Sequence, residues 1–203
     1  MSDNNSITQV LDYWFADIGD GFDVQQQNKL WFMGGVAVDE EISRLFSEGV
    51  QRALRGELDH WSSTAQGMLA LIVLLDQFPR NIYRGDSRAF DGDERAQRWV
   101  DRGLAQAMDQ QLGYIQRLFF YMPLMHAEDV VQQQQGVECF QQLLADIPAA
   151  GKAIIQSSLD FAIKHQQIIQ QFGRFPYRNV VLARESTAAE QAYLDRGGPR
   201  FGQ

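Results

Sequence analysis

The chain has 203 residues, 45% of them hydrophobic and 22% charged, which is enough to bury a sizeable core in one domain. Its net charge of −8 argues against a general nucleic-acid-binding surface, and no apolar stretch reaches the roughly 18 residues that a membrane span needs. Its single cysteine, Cys139, excludes a disulfide within the chain. Because the N-terminus lacks the basic and apolar regions of a signal peptide, we expect a cytoplasmic protein.

Apolar residues recur with the period of an α-helix along most of the chain. These stripes run over residues 7–18, 39–55, 93–107, 127–147 and 152–172. Asp39 is the predicted N-cap of the second helix, and Thr187 to Glu190 form a capping box that opens a short last helix. Since no strand pattern of any length competes, we predict an all-α fold of about seven or eight helices in antiparallel pairs.

The segment from Thr64 to Gln77 differs from these stripes because it is apolar on all sides. Such a pattern is typical of a helix at the centre of a fold. We therefore predict a central buried helix at about 64–77, and one all-α domain over residues 1–203.

Two segments echo one another, and we call them the first arginine turn (residues 77–84) and the second arginine turn (residues 174–179). Each places Phe-Pro, followed by Arg and Asn, at the end of an apolar helix pattern. Proline cannot continue a helix and pushes the preceding residue towards extended geometry, so we predict that the chain stops and turns at each Phe-Pro. Six of the 15 arginines lie in or just after these segments: Arg80, Arg84, Arg88, Arg174, Arg178 and Arg184. Clustered arginine on an acidic chain suits an anion site or a buried polar network.

Asp76 immediately precedes the first arginine turn, at the end of the predicted central helix. The helix dipole disfavours a carboxylate there, so its charge needs a partner. Arg80 follows four residues later and leaves two interpretations open: an ion pair that fixes the turn, or an arginine that Asp76 orients towards a ligand. Asn81 and Arg84 add further donors to the same turn.

The second arginine turn carries Arg174, Arg178 and Asn179, and has no acidic residue nearer than Glu185. Arg174 and Arg178 are therefore the better candidates for a ligand, whereas Arg80 is the better candidate for holding the fold.

Two histidines are candidates for chemistry beside these turns. His165 falls within the apolar stripe of 152–172, about two helical turns before the second arginine turn. His126 precedes Glu128 and is predicted at a helix N-terminus, where the dipole favours the neutral ring of a base or ligand. Each also has a purely structural interpretation. No His-x-His, HExxH or paired-cysteine motif is present, so neither a metal nor a cofactor is predicted.

Several blocks of the sequence resemble a known family. They are LDYWF over 11–15, LLDQFPRNIYRG over 74–85, RAF over 88–90, the Pro-x-x-His-x-Glu element at 123–128, FGRFPYRN over 172–179, and Arg-Glu-Ser-Thr with a later Glu over 184–190. Together they are similar to the bacterial domain-of-unknown-function family nine-two-four. The resemblance implies an all-α, tetratricopeptide-repeat-like stack of helical hairpins, and no established activity.

The chain departs from that family pattern at two positions. The family's usual His-Ser-Glu appears here as His126-Ala127-Glu128, and its usual Phe-Pro-His-Arg-Asn has Tyr177 in place of the histidine. Catalysis through that serine or that histidine is therefore not expected of this chain.

Three functions remain open at this point. The first is binding of a small anionic ligand or a peptide carboxylate at an arginine-rich pocket. The second is a protein-interaction scaffold with an apolar groove away from the arginine turns. The third is an enzyme that uses His126 or His165 as general base beside Asp76 or Glu128. No nucleic acid or membrane partner is expected.

Overall fold

The fold is all-α, as the periodicity predicted. The computed structural model describes residues 3–16, 18, 22 and 24–201, and all the regular structure among them is helical. None of the helices in these ranges is both long and apolar enough to cross a bilayer. The single-domain prediction includes residues 1, 2, 17, 19–21, 23, 202 and 203, which lie outside the described residues. It stays a prediction, as does the tetratricopeptide-like arrangement.

Ten α-helices, joined by short turns and 3₁₀ segments, make up most of the described part of the chain. They are α1 (Asp3–Phe15), α2 (Gln25–Phe32), α3 (Val36–Leu54), α4 (Ala65–Ile72), α5 (Phe78–Ile82), α6 (Asp93–Ala105), α7 (Tyr114–His126), α8 (Val130–Asp146), α9 (Lys152–Phe172) and α10 (Ala188–Asp195). The five apolar stripes correspond to α1, α3, α6, α8 and α9. Asp39 lies inside the first turn of α3, whose N-cap is Gly35, whereas the capping box of Thr187 and Glu190 is confirmed.

The helix α4 forms the centre of the core, as its apolar sides predicted. Met68 to Leu75 have 0% of their surface exposed, and α1, α6 and α7 all pack against α4. Each fully buried Leu, Ile, Val or Met side chain stabilises the fold by about 1.5–3 kcal/mol. Because α4 is closed in on every side, it holds the segment that follows it, Val73–Gln77 with Asp76, inside the core.

The chain does not stop at Pro79, so the prediction for the first arginine turn was wrong. Val73–Gln77 form a π turn, in which the Phe78 N–H donates to the carbonyl oxygen of Val73. This wider turn brings Pro79 into the first turn of α5, where a missing N–H is tolerated. The chain turns only after Ile82, with Gly85 at a φ of +78°. Asp76 and Arg80 consequently lie on one continuous helical path.

Gly92 lets the start of α6 approach the π turn closely. A Cβ atom at this position would lie 2.1 Å from the carbonyl oxygen of Leu75, which no side chain can accommodate. The close approach places Asp93, the first residue of α6, beside Arg80. A carboxylate from a distant part of the sequence is thereby added to the first arginine turn.

His126 ends α7 and does not begin a helix, so that prediction was also wrong. Pro123 lies inside α7, and the following helix α8 starts at Val130 with Asp129 as its N-cap. Only three residues separate these two packed helices, which makes them antiparallel neighbours. A helix dipole at this C-terminal position favours the charged ring, the reverse of the predicted effect.

The second arginine turn does terminate a helix, as predicted. Helix α9 ends at Phe172, and Gly173 follows in the left-handed conformation with a φ of +72°. Pro176–Arg178 then form one 3₁₀ turn. The side chain of Arg178 is turned inwards, with only 4% of its surface exposed.

Candidate functional site

A cavity of about 860 Å³ lies between the two arginine turns. Its volume falls within the range of about 300–1,000 Å³ that is typical of small-molecule sites. The end of α2, the first arginine turn, α7, α9, the second arginine turn and Phe201 all contribute to its walls.

One part of the cavity lining, which we call the apolar wall, combines aromatic rings with aliphatic and methionine side chains. Its members come from α2, α7, α9 and the C-terminal segment: Trp31, Phe32, Met33, Leu118, Met122, Met125, Ile154, Phe161 and Phe201. The stripe predicted on α9 from Ile154 through Ser158 and Phe161 to His165 therefore faces this cavity, while Ile155, Leu159 and Ala162 fill the core. Phe32 and Phe161 remain 63% and 45% exposed, so the apolar wall continues to the protein surface.

The polar part of the lining, which we call the polar end of the cavity, includes three members of a row of ionisable groups. We call this row the charge chain, and its members in order are His126, Asp76, Arg80, Asp93 and Arg178. Nδ1 of His126 lies 2.8 Å from Oδ1 of Asp76, and Nη2 of Arg80 donates to that same oxygen at 3.0 Å. Nη2 of Arg80 also donates to Oδ1 of Asp93 at 2.8 Å, and Nη1 of Arg178 donates to Oδ2 of Asp93 at 3.1 Å.

Asp76 is the completely buried member of the charge chain, with 0% of its side chain exposed. Burial alone raises the pKa of a carboxyl group, but the hydrogen bonds from His126 and Arg80 and the positive charge of Arg80 outweigh it and hold the pKa of Asp76 well below its usual range. The amide of Gln77 donates a further hydrogen bond to Oδ2. Asp76 is therefore an ionised acceptor with its lone pairs in use.

His126 is held in one orientation by Asp76. Burial, followed by the positive charge of Arg80, lowers the pKa of His126 against the opposing effect of Asp76. The ring is thus neutral at pH 7 and donates its Nδ1–H to the carboxylate. Nε2 then carries the lone pair, and within the described residues it makes no hydrogen bond. The side chain is 16% exposed and lines the cavity, so Nε2 is in contact with the cavity space.

His165 lies beside His126, with 6.2 Å between the ring centroids. Its Nδ1–H donates to the carbonyl oxygen of Phe161 at 2.8 Å, and Phe201 stacks on its ring at 3.7 Å. Burial, followed by the electrostatic effects of the neighbouring His126, Arg178 and Arg80, lowers the pKa of His165 to about 3. This histidine is a neutral ring that closes one side of the cavity.

Three N–H donors in the charge chain have no hydrogen-bond partner among the described residues. They are Nε of Arg80 and both Nε and Nη2 of Arg178. The guanidinium of Arg178 is instead sandwiched between the rings of Phe90 and Phe175, at 4.5 and 4.6 Å from their centroids. Buried donors are almost always paired in native proteins, and an unpaired one costs about 1–3 kcal/mol.

The outer rim of the first arginine turn is internally paired. Nε and Nη2 of Arg84 donate to the two carboxylate oxygens of Asp39 at 2.8 and 2.9 Å. Nδ2 of Asn81 donates to the same carboxylate at 2.8 Å. Arg84 and Asn81 line the cavity, but their main contact is with α3.

Four of the predicted site residues lie outside the cavity lining, namely the buried Asp76 together with Glu128, Arg174 and Asn179. Arg174 forms a two-pronged ion pair with Glu190, at 2.6 and 2.8 Å. The carboxylate of Glu128 accepts hydrogen bonds from Arg184 and from the backbone N–H of Phe175. Asn179 bonds to Arg184 and Ser186. These contacts join the second arginine turn to α10 and to the start of α8.

Asp93 and the apolar wall are the parts of the site that sequence reasoning missed. Asp93 had been read only as the start of α6, although it joins the two arginines. No local pattern identifies Phe201, which reaches the cavity from the C-terminal segment. Within the described ranges, no three His, Cys, Asp or Glu side chains are close enough together to hold a metal ion.

The protein is therefore an all-α protein with a cavity whose lining is partly apolar and partly charged. The family described as "Bacterial protein of unknown function (DUF924)" matches residues 10–198, and the chain belongs to that family. It is similar to the solved structure of the protein of unknown function ATU0120 from Agrobacterium tumefaciens, with 33% identity and a TM-score of 0.82. That match covers 97% of this chain and 100% of the other. No curated protein matches the chain.

Proposed function

We propose that this protein binds a small organic anion, with the anionic group against Arg80 and Arg178 and an apolar body along the aromatic wall. The observation that carries this proposal is that two guanidinium groups, those of Arg80 and Arg178, line the cavity. A carboxylate or phosphate oxygen is the acceptor that a guanidinium pairs with best.

The apolar wall indicates the rest of the ligand. Small-molecule sites combine a mostly apolar lining with a few placed polar groups, which is the composition of this cavity. A simple inorganic ion would leave the wall formed by Trp31, Phe32 and Phe161 without a contact. A medium-chain or aromatic acid fits both ends.

A protein-interaction scaffold is less well supported. That hypothesis required an apolar groove away from the arginine turns. The exposed rings of Phe32 and Phe161 instead adjoin the cavity at those turns. An apolar entrance to a small-molecule site accounts for them.

We expect octanoate to bind and 1-octanol, its neutral analogue, not to bind measurably. Octyl phosphate is the second anionic probe and separates a preference for carboxylate from one for phosphate. In isothermal titration calorimetry, Arg178→Gln is expected to weaken octanoate binding roughly 10- to 100-fold, since a hydrogen bond to a charged group contributes about 1.5–3 kcal/mol.

Arg174→Gln is the matched control, because Arg174 lies in the same turn but pairs with Glu190 outside the cavity. It is expected to leave octanoate affinity unchanged. Both variants are first checked for native helicity by circular dichroism. Equal binding of octanoate and 1-octanol by the wild-type protein, or equal losses in the two arginine variants, would contradict the proposal.

A further inference from the structure

We propose that the Asp76–His126 pair makes this cavity catalytic, with Nε2 of His126 as general base for a hydroxyl group or water beside the bound anionic group. This inference rests on the proposed anion site. The proposal adds a proton acceptor, Nε2 of His126, to the anion site, and it therefore assigns an enzymatic activity to the cavity.

The first argument is the orientation of the imidazole ring. Asp76 accepts a hydrogen bond from the Nδ1–H of His126, with its two oxygens 2.8 and 3.0 Å from Nδ1, which leaves the lone pair on Nε2. A buried carboxylate that fixes the tautomer in this way is the arrangement that enzymes use to prepare a histidine base. Nε2 makes no hydrogen bond among the described residues, and it is not one of their buried unpaired atoms, so its lone pair is open to the cavity.

The second argument is the position of the base relative to the arginines. His126 and Arg80 both contact Oδ1 of Asp76, so the ring and the guanidinium are immediate neighbours. Both side chains also line the cavity, so a ligand whose anionic group is bound by the guanidinium lies next to the ring of His126. The favoured substrates are acids with a hydroxyl or hydrolysable group close to the carboxylate or phosphate.

The third argument is charge balance during proton transfer. The charge chain has two carboxylates, two guanidinium groups and a neutral histidine, so its net charge is zero. When the O–H bond breaks, the electron pair stays on oxygen beside Arg80, and the proton forms an N–H bond at Nε2. The new imidazolium lies against Asp76. Both of the charges that the step creates are thus compensated by a group already in place.

Bromoacetate is a direct probe of this geometry, because it combines a carboxylate with an electrophilic carbon one bond away. The Nε2 lone pair displaces bromide from the methylene carbon, an N–C bond forms, and bromide leaves. We expect saturable carboxymethylation of His126 at Nε2, located by peptide mass spectrometry. The rate should exceed that of neutral bromoacetamide by about tenfold or more, since a bound charge raises the local concentration of the reagent.

Three comparisons decide the outcome. Octanoate should protect His126, Arg174→Gln should react like the wild type, and Arg178→Gln should lose the advantage of bromoacetate over bromoacetamide. If both reagents modify His126 equally and without saturation, the anion site is wrong but the base stands. If bromoacetate displaces octanoate while His126 stays unmodified, or if His165 is modified in its place, the general base is wrong and the anion site stands.

Discussion

Replacing Asp76 by alanine is expected to lower the free energy of unfolding by about 3–5 kcal/mol, because it removes the buried partner of a charge. Asp76 has 0% exposure and accepts hydrogen bonds from His126, Arg80 and Gln77. After the substitution, Arg80 keeps its ion pair with Asp93 but loses the one with Asp76. The Gln77 amide and the Nδ1–H of His126 lose their acceptor. A domain of this size is typically stable by about 5–15 kcal/mol, so much of the stability would be lost.

Urea denaturation followed by circular dichroism measures this change. The matched control is Glu57→Ala, which removes an ion pair with Arg55 in which both side chains are about half exposed. It is expected to leave the unfolding midpoint unchanged, because exposed ion pairs contribute little. Similar midpoints for Asp76→Ala and the wild type would show that the charge chain does not hold the fold.

Lowering the pH from 8 to 5 is expected to destabilise the protein through its buried histidines. The pKa of His165 is lowered to about 3 and that of His126 is also lowered, so both rings are neutral in the folded state. Below the unfolded pKa of about 6.5, the unfolded chain binds protons that the folded chain does not, and the stability therefore falls with falling pH. His165 alone accounts for about 2 kcal/mol at pH 5, and His126 acts in the same direction.

The charged groups around the two imidazole rings contribute to the direction of this pH dependence. Arg80 and Arg178 oppose protonation of His165, and Arg80 opposes that of His126, whereas Asp76 and Asp93 favour protonation of His126. The lowered pKa of Asp76 reduces stability only at more acidic pH, as that carboxylate is protonated.

Urea unfolding at pH 8, 6.5 and 5 tests this pH dependence, with His165→Gln as the comparison. In that variant the contribution of His165 is absent. The free energy of unfolding should therefore change less between pH 8 and pH 5 than it does in the wild type. Equal stability of the wild-type protein at pH 8 and pH 5 would contradict the buried, neutral state of both histidines.

The sequence was sufficient to predict the helices whose one apolar face fits the period of 3.6. The bounds of α9, at 152–172, agree with the stripe, and the apolar α4 is central as expected. The path through Pro79 could not be predicted, because a π turn follows from the packing of the surrounding core and not from local residue preferences. Pro123 led to a wrong prediction for a similar reason. It lies inside α7, so His126 is at the end of that helix and not at the start of the next one.

The site residues could be predicted only where their partners are local. Asp76 and Arg80 are four residues apart, and their proximity was among the expected alternatives. Asp93 lies 85 residues before Arg178, and it meets that arginine only because Gly92 lets α6 approach the π turn.

The partner of Arg174 could not be predicted either, because it is distant in the sequence. The absence of a nearby acidic residue in the sequence had favoured a ligand for it, but α10 brings Glu190 to its guanidinium. Long-range pairing therefore separated two arginines that look equivalent in the sequence: Arg178 lines the cavity and Arg174 does not.

The most direct test of the anion site is a crystal structure of the wild-type protein with 8-bromooctanoate, in which anomalous scattering locates the bromine. We expect the carboxylate within about 2.7–3.2 Å of guanidinium nitrogens of Arg80 or Arg178. The bromine should lie along the apolar wall, near Phe32 or Phe161. Bromine peaks confined to the protein surface, with only water at the polar end of the cavity, would contradict the proposed site.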